Sequence, residues 1–415
     1  MPVDDPQKFK EGLRNEQRRL AESETVHEAD REAIDRWIRR KDGQVKVSSL
    51  KTYLRRARIA SERSEVRLVD FSEADYHDLV FKLRHEHDLA DSTVQAYENA
   101  ILLFLQDYMD DDVDWPETVE RTKVDDQGPT ADEILTPADV QALVKTASHS
   151  RDVAFIEFLA DSGARLSLAL SLRVGDVGLK DPATYTPNEE ARGLKGADIK
   201  EYPLIDAAAP LRGYVRGAHP RPTDPGVALF HKRKPHRRAG PNDPWGDDDG
   251  GLDPNAARQQ LQRIADRAGV DKPVNPHAFR HTAITRMVRE GYSRSQIEHR
   301  VHWTLDTDMW ETYEHITSQE HNADIFREAG VVDDDGPDRV RKRCGGCRSA
   351  IAPRHEFCPQ CGKAVTADAE AEVRADKDTV LDDLVEATSP AAREELRELL
   401  DAIDESEEVS QSDPS

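Results

Sequence analysis

The chain has 415 residues and a formal charge of −24, from 82 acidic and 58 basic side chains. It carries no apolar stretch long enough for a membrane helix and no N-terminal apolar segment of signal-peptide type, so a cytoplasmic, multidomain protein with no membrane partner is expected. Such a charge argues on average against nucleic acid, whose affinity comes from Lys and Arg that neutralise phosphates. The acid is, however, spread along the whole chain, and Arg outnumbers Lys 41 to 17, a composition typical of halophilic proteins that stay solvated through carboxylates.

In chain order, residues 5–41 are densely charged, and a helix is predicted around "DREAIDRWIRR". From Ser48, "SSLKTYLRRARIASE" places Leu50, Tyr53, Leu54 and Ala57 on one helical face, with Ser48 or Ser49 as N-cap. "SEADYHDLVFKLRHE" repeats the pattern with Tyr76, Leu79, Val80 and Leu83, and residues 91–109 do so with Val94, Tyr97, Ile101, Leu105 and Tyr108. Residues 1–117 therefore read as a helical bundle. The polar stretch 118–134, with its Gly-Pro pair, reads as a linker.

A second domain, 135–330, opens at "LTPADVQALVKTA", where Thr136 can cap, Pro137 takes the first helical position and Asp139 complements the helix dipole. Helices are predicted through "DVAFIEFLADSG" and "LSLALSLRVGDV". The Pro/Gly punctuation of 178–230 predicts a β-rich insertion, and helical periodicity returns from "NAARQQLQRIADRAGV" to about residue 329. Within this domain "HKRKPHRR" is a basic stretch whose Lys232, Arg233, Lys234, Arg237 and Arg238 are candidate phosphate contacts, or simply a solvated surface. A four-cysteine module at 339–364 and an acidic helical or disordered tail at 365–415 complete the chain.

Three separated stretches of the second domain hold chemistry-bearing residues. Arg165 follows a Gly-Ala turn in "SGARLSLALSLRVGDV". His277 and Arg280 in "HAFRHTAIT" are spaced i, i+3, so one ligand can meet both. Trp303 and Tyr313 lie in "VHWTLDTDMWETYEHI". Each alone has an ordinary reading: Tyr313 as a half-buried aromatic, Trp303 as core, His277 as a capping or core histidine, and the arginines as ion-pair partners.

As an ordered set, these residues resemble the tyrosine recombinase (phage integrase) family over residues 48 to about 329. The family's first box is matched at Gly163, Arg165, Ser167, Leu172 and Asp176, and its H-x-x-R-H-T box at His277, Arg280, His281 and Thr282. The later aromatic position falls on Trp303, 26 residues past His277, and the tyrosine on Tyr313, ten further on; the β-hairpin lysine falls on Lys195. There are two departures: Leu168 stands where an acidic residue is usual, and His302 where glycine commonly precedes the aromatic. Whether His302 or Trp303 faces the phosphate is left open.

The resemblance implies a multidomain, mainly α fold. A helical core-binding bundle would precede a mixed α/β catalytic domain, mostly helical with a small antiparallel sheet. It also implies DNA cleavage and rejoining through a 3'-phosphotyrosyl intermediate, on double-stranded recombination sites, by a homotetramer on DNA, a monomer being possible in its absence. The chemistry needs these residue types. Arg165 and Arg280 can clamp the phosphate oxygens in fork geometry, so no catalytic cofactor is expected. Tyr313 would attack phosphorus, Lys195 would protonate the leaving 5'-oxygen, His277 would exchange the tyrosine proton, and Trp303 would lie against the phosphate. Two alternatives stay open: a noncatalytic DNA-binding regulator on the same fold, and a type IB topoisomerase-like nicking-closing enzyme.

The cysteines form a separate signal. Cys344, Cys347, Cys358 and Cys361 make two C-x-x-C pairs, the second followed by glycine, which reads as a short zinc ribbon holding a structural zinc ion. A cytoplasmic chain disfavours a disulfide reading.

Overall fold

A computed structural model describes residues 3–109, 113–124, 128, 130, 133–180, 182–194, 197–233, 249–305, 307, 310, 313, 342–344, 346, 350–351, 355–358, 362–366, 369–371 and 373–375. The chain divides into two compact units, one of Gln7–Gln127 and one of Met1–Pro6 with Gly128–Ser415.

The first unit is helical: α1 (Phe9–Glu22), α2 (Glu28–Lys41), α3 (Val47–Arg63), α4 (Glu73–His85), α5 (Asp91–Tyr108) and a short α6 (Trp115–Thr118). Its core gathers Ile34, Trp37 and Ile38 of α2, Leu50, Leu54 and Ala57 of α3, Tyr76, Leu79 and Leu83 of α4, and Val94, Ile101 and Leu105 of α5. α1 escapes a reading by apolar spacing because only Leu20 and Glu16 are buried along it; Glu16 is held by Arg58 of α3 at 3.2 Å. Two expectations are corrected. α3 begins at Val47 with Lys46 as its N-cap residue and no side-chain cap, so neither Ser48 nor Ser49 caps it. Tyr108, the last residue of α5, has left the core face and is 42% exposed.

The second unit contains α7 (Pro137–Thr146), α8 (Ser150–Ser162), α9 (Leu166–Ser171), α10 (Ala208–Gly217), α11 (Pro254–Ala268), α12 (Pro276–Arg289) and α13 (Arg294–Arg300). Thr136 caps α7 in a capping box with Asp139. A small antiparallel sheet has the order β1 (Val177–Gly178), β2 (Thr184–Tyr185), β3 (Tyr202–Pro203), with Tyr185 opposite Val177 on one side and Tyr202 on the other. The insertion 178–230 is thus less β-rich than its punctuation predicts. The reason is local: Ala208, Leu211, Tyr214 and Val215 bury one face of α10, a helical spacing hidden between prolines. Further on, β4 (Lys342–Arg343) pairs antiparallel with β5 (Ala350–Ile351). The four-cysteine module meets α7 and α8 through polar contacts: His355 Nε2 lies 3.1 Å from the buried Glu157, and Glu356 pairs with Lys145.

One buried acid ties this unit together. Asp161 of α8, 0% exposed, accepts hydrogen bonds from Arg300 at 2.7 Å and from the backbone N–H groups of Ile205 at 2.7 Å and Ala207 at 3.1 Å. Arg286 of α12 lies 3.8 Å away and bonds Asp206 at 2.7 Å. Burial works to raise the Asp161 pKa, but Arg300, Arg286 and the two N–H groups more than reverse it, so it stays below the ordinary carboxylate range. Removing one partner from a buried ion cluster leaves the others uncompensated, so Asp161→Ala is expected to lose about 3–5 kcal/mol in urea unfolding at pH 7. Because the folded pKa is depressed, this contribution is complete above the unfolded value of about 4 and fades as pH falls through the folded value. The gap in stability between wild type and variant should therefore narrow below about pH 4; a gap independent of pH would contradict the ionised assignment.

Candidate active site

The site is built where α8 gives way to α9. Gly163 ends α8 with φ +60°, a left-handed conformation that disfavours any side chain. A Cβ there would lie 3.0 Å from Ala283 Cβ and 3.3 Å from Val301 Cγ1, so α12 and the end of α13 can close on this turn only because it is glycine. The turn delivers Arg165, half-buried, to the N-cap position of α9. Its carbonyl also accepts a hydrogen bond from Arg280 Nη1 at 2.8 Å, which fixes the second guanidinium beside the first.

α12 presents the second group. Asn275 caps it, accepting from His277 N at 2.9 Å and Ala278 N at 3.1 Å, with Pro276 in the first turn. His277 is exposed on that first turn, whereas Arg280 is 4% exposed. Burial, and then the neighbouring Arg165, push the Arg280 pKa down to about 9; burial alone lowers that of Arg165. Among the described residues neither arginine is paired with a carboxylate, and Arg280 Nη2 is buried with no hydrogen-bond partner. Two adjacent cations without a counterion form an anion site.

After α13 the chain turns at His302 and sends Trp303 over the guanidinium of Arg280, 5.4 Å from ring centre to Cζ. Glu298, buried, anchors the return of the chain twice: its backbone carbonyl accepts from Trp303 N at 2.9 Å, and its carboxylate accepts from Trp310 Nε1 at 2.8 Å. Trp303 then packs against Trp310 at 5.4 Å and Tyr313 at 5.8 Å. Tyr313 itself is 1% exposed within a cluster that includes Ile284, Met287 and Val301. Its hydroxyl lies 2.5 Å from His281 Nδ1.

The structure thus brings Arg165, Arg280, Trp303 and Tyr313 together. The expected proton partner of the tyrosine, His277, lies on the same helix with its ring 6.3 Å from that of His281, but the described hydrogen bond is made by His281. His281 stands four residues after His277, and that spacing on one helix face was the available signal. Lys195 lies outside the described residues, as do Lys234, Arg237 and Arg238 of the basic stretch. Lys232 is half-buried and Arg233 exposed, beyond a bridge between His231 and Gly251. Among the described residues no three metal-ligating side chains converge. Cys344 and Cys358 are buried in one cluster with Ile351, while Cys347 and Cys361 lie outside the described residues.

Residues 133–320 match the model of the phage integrase family. The tyrosine recombinase XerD of Corynebacterium glutamicum is 28% identical over 203 residues, covering 47% of this chain and 53% of that protein. The chain thus spans about half the length of this relative. An integrase/recombinase of Escherichia coli is 25% identical over 259 residues, 56% of this chain and 74% of that one. Among solved structures, the Tn1549 transposon integrase in complex with circular intermediate DNA superposes with a TM-score of 0.54 at 17% identity, over 72% of this chain and 98% of that chain. At that identity the likeness speaks for the fold.

An anion that bridges Arg165 and Arg280 should stabilise the fold by mass action, about 1.4 kcal/mol at a concentration ten times its Kd. Sulfate added at constant ionic strength is expected to raise the Tm of the wild type and not that of Arg165→Gln. An equal rise in both would place the binding elsewhere.

Proposed function

We propose that this chain, whose residues 133–320 match the phage integrase family model, is a member of that family and a site-specific DNA recombinase that cleaves and rejoins double-stranded DNA through a 3'-phosphotyrosyl intermediate. The observation that carries this reading is the placement of a tyrosine hydroxyl on an imidazole, next to two guanidiniums that are paired with no carboxylate among the described residues. Arg165 and Arg280 hold the non-bridging oxygens of the scissile phosphate and offset the charge that develops on them. The Tyr313 hydroxyl attacks phosphorus while its proton passes to His281 Nδ1, 2.5 Å away. The new bond joins phosphorus to the tyrosine oxygen, and the bond to the 5'-oxygen breaks. That oxygen takes a proton from Lys195, as the resemblance implies. A free 5'-hydroxyl reverses the sequence, because the ester preserves the bond energy; neither ATP nor a catalytic metal enters the balance. His277, which the resemblance names for this proton exchange, is exposed at the start of the same helix.

Four protomers on two sites would exchange strands, with segment 318–330, which lies outside the described residues, as the contact between neighbours. Both units would contact DNA, with Lys232 and Arg233 as candidate phosphate contacts. The acid-rich composition suits a halophilic source, and among the described residues no helix is long and apolar enough to cross a membrane. Tyr313 at 1% exposure also suits a regulator that binds DNA without cutting it, so the decisive test is covalent chemistry.

Nicked duplexes randomised around the nick are incubated with protein in EDTA, and DNA retained through SDS and phenol is sequenced. Wild type should form adducts, Tyr313→Phe none, and His281→Ala should form them about 10²–10⁴ times more slowly. Adducts formed equally by Tyr313→Phe would sink the reading. Strand exchange between two captured sites then separates a recombinase from a monomeric nicking-closing enzyme.

The four cysteines suit a structural zinc ion. Gly346 N–H points to Cys344 Sγ at 3.4 Å, an arrangement that stabilises a thiolate, and Gly362, at φ +76°, bonds back to the Cys358 carbonyl at 2.8 Å. Cys344, Cys347, Cys358 and Cys361 would hold the ion with no open coordination position, so it would organise the module rather than react. Purified protein should contain about one zinc per chain, and Cys344→Ser should lose it. Metal-free wild type with an unchanged Tm would refute this assignment.

A further inference from the structure

Two residues of the four-cysteine module stand outside its ligand set and lie against the helices that lead to the site: His355 and Glu356. Both precede the second C-x-x-C pair, on a segment tied to the far side of that pair. The Glu356 carbonyl accepts from Val365 N at 2.7 Å, Phe357 bridges Ala364, and Cys358 N donates to the Lys363 carbonyl at 2.7 Å. The hairpin that carries Cys358 therefore sets where His355 and Glu356 stand.

Their partners are on α7 and α8. Glu356 accepts from Lys145 Nζ and from the Gln141 side chain, both of α7. His355 reaches α8, where its Nε2–H donates to the Glu157 carboxylate at 3.1 Å. This second contact is the more consequential, because its two side chains are 10% and 2% exposed, whereas Lys145 and Glu356 remain in contact with water. His355 Nδ1 is also buried, with no partner among the described residues, so the ring is held by packing and by its bond to Glu157. α8 is itself enclosed: of its thirteen residues only Ser150 and Val153 are not buried. Glu157 lies one turn before Asp161 on the same side of this helix, and Gly163 and Arg165 follow within four residues of Asp161.

We propose that the face made by Gln141, Lys145 and Glu157 is a docking surface for this chain's own four-cysteine module, and that metal binding in the module is coupled through His355 and Glu157 to the end of α8 that delivers Arg165. The inference rests on the structural-zinc reading. With the four thiolates gathered on one ion, the hairpin around Cys358 is ordered and presents His355 to α8. With the ion removed, the hairpin is released and a carboxylate inside the fold loses a hydrogen bond, one turn from the acid that gathers Arg300 and Arg286. Such coupling is reciprocal, so docking also tightens the hold on the metal. The module then acts as a brace of the second unit rather than as a separate arm.

The test uses the full-length protein loaded with zinc, without DNA. Zinc release to a chromophoric chelator and amide hydrogen exchange over residues 155–165 are followed in wild type, His355→Ala, His355→Gln and Lys145→Ala. His355→Ala keeps all four cysteines, yet it should hold zinc about tenfold less tightly. It should also exchange faster over 155–165 while loaded. Stripping the wild type should raise exchange over the same residues, whereas stripping His355→Ala should add little. His355→Gln, which keeps an N–H donor, should recover part of both effects, and Lys145→Ala, at the exposed contact, should shift both in the same direction by less. Exchange over 155–165 that responds neither to stripping nor to His355→Ala would overturn the proposal and make the module an independent arm. If the wild type binds no zinc, the metal reading fails and this coupling with it. If zinc is held and α8 is indifferent to it, only this inference fails.

Discussion

Arg165 and Arg280 are held side by side, largely out of water, with no carboxylate among the described residues to offset them, and this repulsion is what the second unit must support. The support comes from the turn at Gly163, whose carbonyl takes one N–H of Arg280 and whose missing Cβ lets α12 and α13 close in. Behind the turn stands Asp161, two residues earlier, gathering Arg300 and Arg286 from those same helices. The buried acid therefore neutralises Arg300 and Arg286, which build the scaffold, and does not reach Arg165 or Arg280. An apo site arranged in this way is less stable than it could be, and binding an anion relieves the cost.

Leu168 belongs to this picture. A carboxylate at its place would have been a candidate partner for the site; instead it is 2% exposed among the apolar residues of the main core. Asp161 does not replace it, because its contacts go to Arg300, Arg286 and the backbone N–H groups of Ile205 and Ala207. Arg280 is oriented by a backbone carbonyl, that of Gly163, and by an aromatic face, Trp303.

Much of this was legible in the sequence wherever local chemistry decides structure. The faces of α4 and α5, the capping of α7 by Thr136 and the ordered spacing of Arg165, Arg280, Trp303 and Tyr313 follow from periodicity, caps and motif order. What could not be read depends on long-range partners. Glu16 turns inward on α1 because Arg58 waits on α3; His281 meets Tyr313 across 32 positions; Tyr185 reaches His302 across 117. No local pattern marks such pairs, because the side chains become neighbours only once each unit has folded. Tyr313 illustrates the limit well: its neighbourhood is that of a packed aromatic, and both descriptions hold, since its ring is core and its hydroxyl lies on an imidazole.

In the proposed reaction Tyr313, assisted by guanidiniums and without metal, becomes covalently joined to the 3' side of a DNA strand. Its most direct test is to purify the adduct formed in EDTA, digest it with protease and nuclease, and identify the modified peptide by mass spectrometry. The account predicts a nucleotide esterified through its 3'-phosphate to Tyr313. A nucleotide on another residue, a 5'-phosphate linkage, or an adduct that appears only when a divalent cation is restored would contradict it.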